Sequence, residues 1–376
     1  MKILYLVSDT EFGGGQQYFL SIIEALRDKD FQYTVGGKAN TNLEKEVRKR
    51  SLDFIPYAVH GKFDIKGMMQ FSKELKGKEY DVIFLGDGSA WNTGFFLNKS
   101  AGFKNLIPIV HMTHIGLEEK EEYGFIERKL SALWDRTWSR YARKIVVSNR
   151  KNAGILISEG VKKDKIRVIN NCIDVERIKN CARAPKGEIL GKFNIKGDKT
   201  IIGTISRLGP GKNVKTLLDA FPIVLERFNN CHFFIVGAGP FQTELEKYIK
   251  ECGLEKHVTF TGWVENQYDY LNFFDIFLFS GISDGIPYVI LEAMAYGKPI
   301  AATNNGAVNE AISDGETGVL VEKANNESMA QGIIRLLENK ELLNSLKVRA
   351  EEYCRNNFNI DRMKREVLKL FEELQN

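Results

Sequence analysis

Short apolar runs alternate with longer stretches of helical period along almost the whole chain, and that alternation limits the open folds more than any other feature. In the first half the runs are Ile3–Ser8, Tyr33–Gly36, Phe54–Tyr57, Val82–Leu85, Leu106–Val110, Lys144–Ser148 and Ile166–Ile169. Helical patterns fill the gaps, notably Gln16–Arg27 and Glu119–Arg143. Continuous apolar runs are what strands buried on both faces look like, and helices between them make parallel crossovers. The expectation is therefore an α/β chain built on doubly wound, mostly parallel sheets. After Ile173-Asp174 the stretch Cys181–Gly187 reads as a linker. The alternation restarts at Thr200–Ile205 and continues through Phe233–Val236, Val258–Thr261, Ile276–Phe279, Ile300–Thr303 and Gly318–Val321. A chain of 376 residues is too long for one core. Two Rossmann-like domains are expected, 1–185 and 186–357, followed by a helical tail at Ile360–Leu374 within 358–376.

The N-terminus has only a short apolar run before Asp9, so it reads as a first strand rather than a signal peptide. No apolar run approaches the roughly 18 residues of a membrane span. The five cysteines are scattered without a CxxC pair, which points to reduced core thiols in a cytoplasmic protein and away from a zinc site. Charge is uneven. Residues 1–190 hold 32 Lys+Arg against 24 Asp+Glu, and the remainder 21 against 25. A basic first half fits an anionic partner, either a membrane surface or a phosphate-bearing acceptor, and it equally fits solvated surface lysine. No nucleic-acid-binding motif accompanies it.

The stretch Phe279–Thr303 carries the densest chemistry. A strand ends at Phe279, a loop of Ser, Gly, Asp and Pro runs to Pro287, and a helix follows from Tyr288 to Tyr296, stopped by Gly297. Pro287 suits the first turn, where a missing N–H costs nothing. Asp284 lies on the loop and Glu292 inside the helix. In a parallel sheet such a loop sits at the carboxyl end of a strand, where open α/β folds bind ligands, beside a helix N-terminus that favours anions.

Three further places combine chemistry with position. Arg207 and Lys212 follow the strand Thr200–Ile205 on either side of Gly209-Pro210-Gly211. Arginine pairs bidentately with phosphate, lysine adds a point charge, and the glycines allow close backbone approach. This is not a P-loop, because GxxxxGK[ST] is absent. Gly13, Gly14 and Gly15 occupy the first strand-to-helix turn, where glycine permits positive φ. His111 and His114 lie just past Leu106–Val110; a metal site would need a third ligand that the neighbouring sequence lacks. Two look-alikes are set aside. Gly237-Ala238-Gly239-Pro240 begins like a dinucleotide fingerprint, but its third glycine would fall at Gln242. Asp28-Lys29-Asp30 sits at a polar helix end and reads as solvent-exposed.

Taken together these segments resemble the retaining GT-B glycosyltransferases of family four. That family's donor loop is Glu, seven residues, Glu, followed by EAMAxGxP; here Asp284 stands at the first position and Glu292 with EAMAYGKP keeps the rest. Asn304–Glu310 and Asp314–Gly318 also match. Ile205–Asn213 resembles the family's GRLxxxKG segment, with Ser206 and Asn213 in place of glycines. The resemblance implies two Rossmann-like domains facing each other across a cleft, the first on the acceptor side, with the tail crossing back to pack on the first. It implies transfer of a sugar, with retention, from a nucleotide-diphosphate sugar to a saccharide or lipid-linked saccharide, in polysaccharide or glycan assembly, without an obligatory metal or other cofactor. By the same resemblance Arg207 and Lys212 hold the diphosphate and Glu292 the ribose hydroxyls. Asp284 with Gly285, Ile286 and Pro287 holds the sugar hydroxyls, and His111 and Gly13–Gly15 contact the donor from the other domain. A GT-B epimerase and a non-catalytic sugar-nucleotide-binding protein share the architecture and stay open as alternatives. The basic helical stretch Glu118–Arg143, with Trp134 and Trp138, reads either as core-facing packing or as peripheral contact with the inner membrane face.

Overall fold

The computed structural model describes residues 1–8, 13–61, 63–110, 139–181, 183–282 and 285–375. It divides into two units, Met1–Cys172 with Ile360–Asn376, and Ile173–Asn359.

The first unit is a seven-stranded sheet of β1 (Lys2–Leu6), β2 (Gln32–Gly37), β3 (Asp53–Pro56), β4 (Val82–Leu85), β5 (Leu106–Val110), β6 (Ile145–Val147) and β7 (Ile166–Val168), in the order β3-β2-β1-β4-β5-β6-β7. Every pairing is parallel. The period-two geometry of a strand shows in β1 and the residue after it. Ile3, Tyr5 and Val7 enter one core with Phe19 and Ile22 of the helix Gly14–Ala25, while Leu4 and Leu6 enter another with Met68, Phe71 and Trp91. Both faces are buried, which is why these strands read as unbroken apolar runs. The helix Ile360–Gln375 belongs to this unit. Val367, Leu370 and Phe371 are buried on it, Glu373 pairs with Arg167 and Lys144, and Lys364 pairs with Asp28 at 2.7 Å.

The second unit repeats the plan with β8 (Thr200–Ile205), β9 (Cys231–Val236), β10 (Val258–Gly262), β11 (Ile276–Phe279), β12 (Ile300–Thr303) and β13 (Val319–Val321), in the order β10-β9-β8-β11-β12-β13. All are parallel. Counted from its own first strand this is 3-2-1-4-5-6, the doubly wound order of a Rossmann fold. β9 is buried throughout, including His232, whose Nε2 lies 2.8 Å from Thr259 Oγ1. Burial pushes that imidazole down to about 4, so it is neutral at physiological pH.

Three expectations need correction. The division between units falls at Cys172/Ile173, not at 185/186. Cys181–Gly187 is accordingly no linker between them. Val175 and Ile178 are buried in the second core, Ala184 N donates to Asp269 Oδ1 at 2.8 Å, and a helix already starts at Lys186. A polar composition signals only that the segment lies near the surface. Nor are the thiols all core residues: Cys172, Cys231 and Cys354 are buried, but Cys181 is half-buried and Cys252 exposed. Among the described residues no helix is long and apolar enough to cross a membrane.

Candidate active site

In the second sheet the strand order reverses between β8 and β11, so the crevice for a ligand opens at their carboxyl ends. The two loops leaving those ends are the ones rich in chemistry. The loop after β8 carries Arg207, exposed, and Lys212, half-buried. It is clamped to its neighbour by Ser206 N donating to Val236 O at 3.0 Å and Leu208 N to Ala238 O at 2.9 Å. Gly211 takes a φ of +79° and Asn213 one of +49°, which turns the chain sharply into the helix Val214–Arg227. The loop after β11 is fastened to it directly: Ile282 N donates to Gly211 O at 2.9 Å, and Ser280 Oγ donates to Lys212 O at 2.7 Å.

Gly237 and Gly239 are explained by this clamp. Gly237 has φ +127°, and a Cβ there would lie 2.1 Å from Ser206 O; a Cβ on Gly239 would lie 2.2 Å from Leu208 O. The pair lets two backbones touch and so supports the Arg207 loop.

The helix Tyr288–Ala295 follows the second loop. Pro287 is its N-cap, one position earlier than expected, and Ile286 behind it is buried. At the far end Gly297 N donates to Met294 O and Lys298 N to Ala293 O, both at 2.9 Å, with Gly297 at φ +58°. That double bond is a Schellman cap and accounts for the Gly-Lys-Pro stop. Glu292, only 7% exposed, points into the unit and accepts from Gln267 Nε2 at 2.7 Å and Tyr268 Oη at 3.1 Å. Burial pushes its carboxyl up to about 7, against the opposing pull of the Tyr268 hydrogen bond and Arg177. With two bonds accepted, a carboxylate there keeps acceptor capacity for further donors. Asn305, also buried, supports the crevice by accepting from Ala307 N and Val308 N at 3.1 and 2.9 Å. Asp314 and Thr317 of the second matching stretch are turn residues: Asp314 accepts from Leu320 N at 3.0 Å, and Thr317 Oγ1 accepts from Ser313 N at 2.9 Å.

In the first unit the order reverses between β1 and β4. Asp87 spans that point. One carboxylate oxygen caps the helix Gly88–Ala101, accepting from Ser89 N and Ala90 N at 2.9 Å, and the other accepts from Ser8 N beyond β1. Gly13 is the N-cap of the helix Gly14–Ala25 and donates to Gln16 Oε1 at 2.9 Å. Its φ of −143° is ordinary extended backbone, and neither Gly14 nor Gly15 has positive φ. The positive φ that glycine permits is therefore not used here. Among the described residues a Cβ on Gly14 would meet nothing within 4 Å, so glycine there leaves room at a helix N-terminus.

His111, His114 and Asp284 lie outside the described residues, as does most of Glu118–Arg143. Arg207, Lys212, Gly285, Ile286 and Pro287 are brought onto two joined loops, and Glu292 onto the helix behind one of them. Gln267 and Tyr268 precede Glu292 by some 25 positions and carry no motif that marks them in the sequence. Asp87 does carry a signal that could have found it, since Asp followed by Gly-Ser after an apolar run marks a helix start. Among the described residues no cluster of side chains could hold a metal ion.

The comparisons agree on the family. The model of "Glycosyltransferase Family 4" matches residues 12–177, and that of "Glycosyl transferases group 1" matches 185–353. A UDP-Gal:alpha-D-GlcNAc-diphosphoundecaprenol alpha-1,3-galactosyltransferase of Escherichia coli is 23% identical over 96% of this chain and 94% of its own. A Campylobacter jejuni N-acetylgalactosamine-N,N'-diacetylbacillosaminyl-diphospho-undecaprenol 4-alpha-N-acetylgalactosaminyltransferase is 31% identical over 50% of this chain and 48% of its own. The crystal structure of Anabaena HepE in complex with UDP-glucose superposes with a TM-score of 0.84, 19% identity and 99% coverage of both chains. The chain belongs to the group 1 glycosyltransferases, of the family-four kind, and has their GT-B fold of two Rossmann-like units.

Proposed function

We propose that the protein moves a sugar from a nucleotide-diphosphate sugar to a saccharide or lipid-linked saccharide acceptor, with retention at the anomeric carbon and without a required metal. The observation that carries this reading is the junction of two loops at the order reversal of the second sheet, one bearing Arg207 and Lys212 and the other leading through Gly285–Pro287 to Glu292. Two cations on a fixed backbone suit a leaving diphosphate, because preorganised charge needs no rearrangement as charge develops. Glu292 accepts the ribose hydroxyls, Asp284 and the backbone of Gly285–Pro287 take the sugar hydroxyls, and His111 and Gly13–Gly15 add donor contacts from the first unit. Uridine diphosphate is the favoured carrier, since both the near-full-length E. coli relative and the HepE complex carry UDP in their names. Undecaprenol-linked acceptors in the names of two relatives support a lipid-linked acceptor and a role in cell-surface glycan assembly at the membrane's inner face.

Thermal unfolding with UDP, GDP and ADP, each with and without EDTA, is the first experiment. Stabilisation by UDP that survives EDTA supports the reading. No shift with any nucleotide overturns it. Arg207→Ala is expected to lower the transfer rate by about a hundred- to a thousandfold with the fold intact, the scale seen when one preorganised electrostatic partner is removed.

A further inference from the structure

The Glu292 carboxylate is held at both of its oxygens. Gln267 Nε2 donates to one at 2.7 Å and Tyr268 Oη to the other at 3.1 Å. The two donors are neighbours at the start of the helix Tyr268–Phe273, and the turn that presents them is itself fastened. Tyr268 N donates to Asn266 Oδ1 at 3.3 Å, Asn266 Nδ2 donates to Asp269 Oδ1 at 2.9 Å, and Ala184 N donates to that same oxygen at 2.8 Å. Upstream, the segment leaves β10 at Gly262, whose carbonyl accepts from Gly237 N at 3.0 Å. Gly237 is also the residue against which Ser206 of the Arg207 loop closes. The diphosphate loop and the two donors on Glu292 therefore depend on one backbone junction.

A carboxylate has about four lone-pair positions, two on each oxygen. With one position on each oxygen filled, one on each stays open, which is what a pair of adjacent hydroxyls needs. Glutamine and tyrosine suit the task for different reasons. The carboxamide does not titrate. The phenol stays protonated, because burial and the facing carboxylate both push its ionisation up. Each therefore offers a hydrogen to Glu292 at any physiological pH, and each favours the ionised form. Among the described residues, other groups facing the pair come from every side. Arg177 on the helix Val175–Lys179 adds positive charge to both, and the Cys181 thiol acts on Tyr268. Tyr296, just past the end of the Glu292 helix, and Cys354 on the helix Lys340–Asn357 are both kept neutral by burial. β12 brings no titratable side chain.

We propose that Gln267 and Tyr268 are positioning residues for the sugar donor: they fix both oxygens of Glu292 so that its carboxylate meets the two ribose hydroxyls together. This rests on the reading of Glu292 as the ribose contact and adds what sets that contact. It gives a segment without a sequence motif the selection of a ribonucleotide over its deoxy counterpart. The ribose lies away from the sugar–phosphate bond that breaks, so the effect belongs to donor binding and is read without an acceptor.

Titration calorimetry of the full chain with UDP and with 2′,3′-dideoxyuridine diphosphate is the test; if GDP or ADP is the nucleotide that stabilises the chain, it and its dideoxy form take their place. Wild type is expected to bind the ribonucleotide at least about tenfold more tightly. Tyr268→Phe keeps the ring that stands 5.9 Å from that of Tyr296, and Gln267→Met keeps the side-chain length. Each should weaken the ribonucleotide about five- to tenfold and leave the dideoxy form within about twofold. A merely structural role would weaken both alike. The ratio of the two affinities, in which ionisation of the diphosphate cancels, should rise with pH through about 7 in wild type. In Tyr268→Phe that midpoint should move up by about one pH unit, because a donor to the ionised form is gone. Both ligands are measured on the same protein, so a less stable variant still gives a ratio. A wild-type ratio near one, or variants that weaken both ligands equally, overturns the proposal, and an unchanged ratio in either variant overturns the role given to that residue. Failure of the functional reading shows separately, as no binding of UDP, GDP or ADP at all.

Discussion

The two units use one sheet plan, 3-2-1-4-5, yet they build the crevice at the order reversal in different ways. In the second unit the loops are bonded backbone to backbone and to each other, from Val236–Ser206 through Leu208–Ala238 to Gly211–Ile282. In the first, backbone bonds join the strand ends, Gly86 N to Leu6 O at 2.8 Å and Val7 N to Gly36 O at 3.0 Å, and among the described residues beyond them it is a side chain, Asp87, that does the fastening. A backbone-built crevice demands particular residues at the contact points, which is why motifs crowd into the second unit. A strand-end junction reinforced by one carboxylate places fewer such demands on the residues around it.

Glycine tests that contrast most sharply. Gly237→Ala must place a Cβ against Ser206 O in a backbone region L-residues avoid, and is expected to destabilise the second unit by roughly 3 kcal/mol or more. Chemical denaturation would show it, and a loss under about 1 kcal/mol would mean the clamp is not as rigid as described. Glu292 comes next. Its carboxyl sits near 7 when folded and 4.5 ordinarily, so the native state holds more protons than the unfolded state between those values. Stability from this group is full below about pH 4.5 and falls as pH rises through 7, by about 3 kcal/mol at most. Glu292→Gln should flatten that part of the pH–stability curve; an unchanged slope assigns it elsewhere. Nucleotide affinity should change in the opposite sense, rising toward pH 8 as the carboxylate ionises, and titration calorimetry at several pH values would report it.

Asp87→Ala removes a cap and the Ser8 contact, and should cost about 1–2 kcal/mol. The smallest effect belongs to Gly14→Ala. With open space at its Cβ and helical backbone, alanine should stabilise by roughly 0.5–1 kcal/mol while slowing transfer, if that bare helix start meets the donor. Higher stability with unimpaired transfer would remove Gly14 from the site.

Strand positions were legible to within about a residue at most ends. Ile276–Phe279 and Ile300–Thr303, for instance, match β11 and β12, because a strand buried on both faces must be apolar at every position. The helix Tyr288–Ala295 was legible through its stop, since Gly297 alone among neighbours tolerates φ +58°. Arg207 and Lys212 were found because their chemistry and their place after a strand coincide. Gly13–Gly15 were located, but local sequence does not distinguish a glycine that turns from one that leaves room beside a helix start.

What the chain reveals residue by residue, then, is whatever depends on near neighbours: strand runs, helix caps and stops, and which loops carry charge. The tertiary structure alone decides which of those loops become neighbours. Strand order turns a linear list into a crevice between β8 and β11, sets Gly237 against Ser206, and closes Gln267 and Tyr268 around Glu292. Those contacts join positions tens of residues apart, and a partner that distant imposes no period, spacing or composition on the residues between.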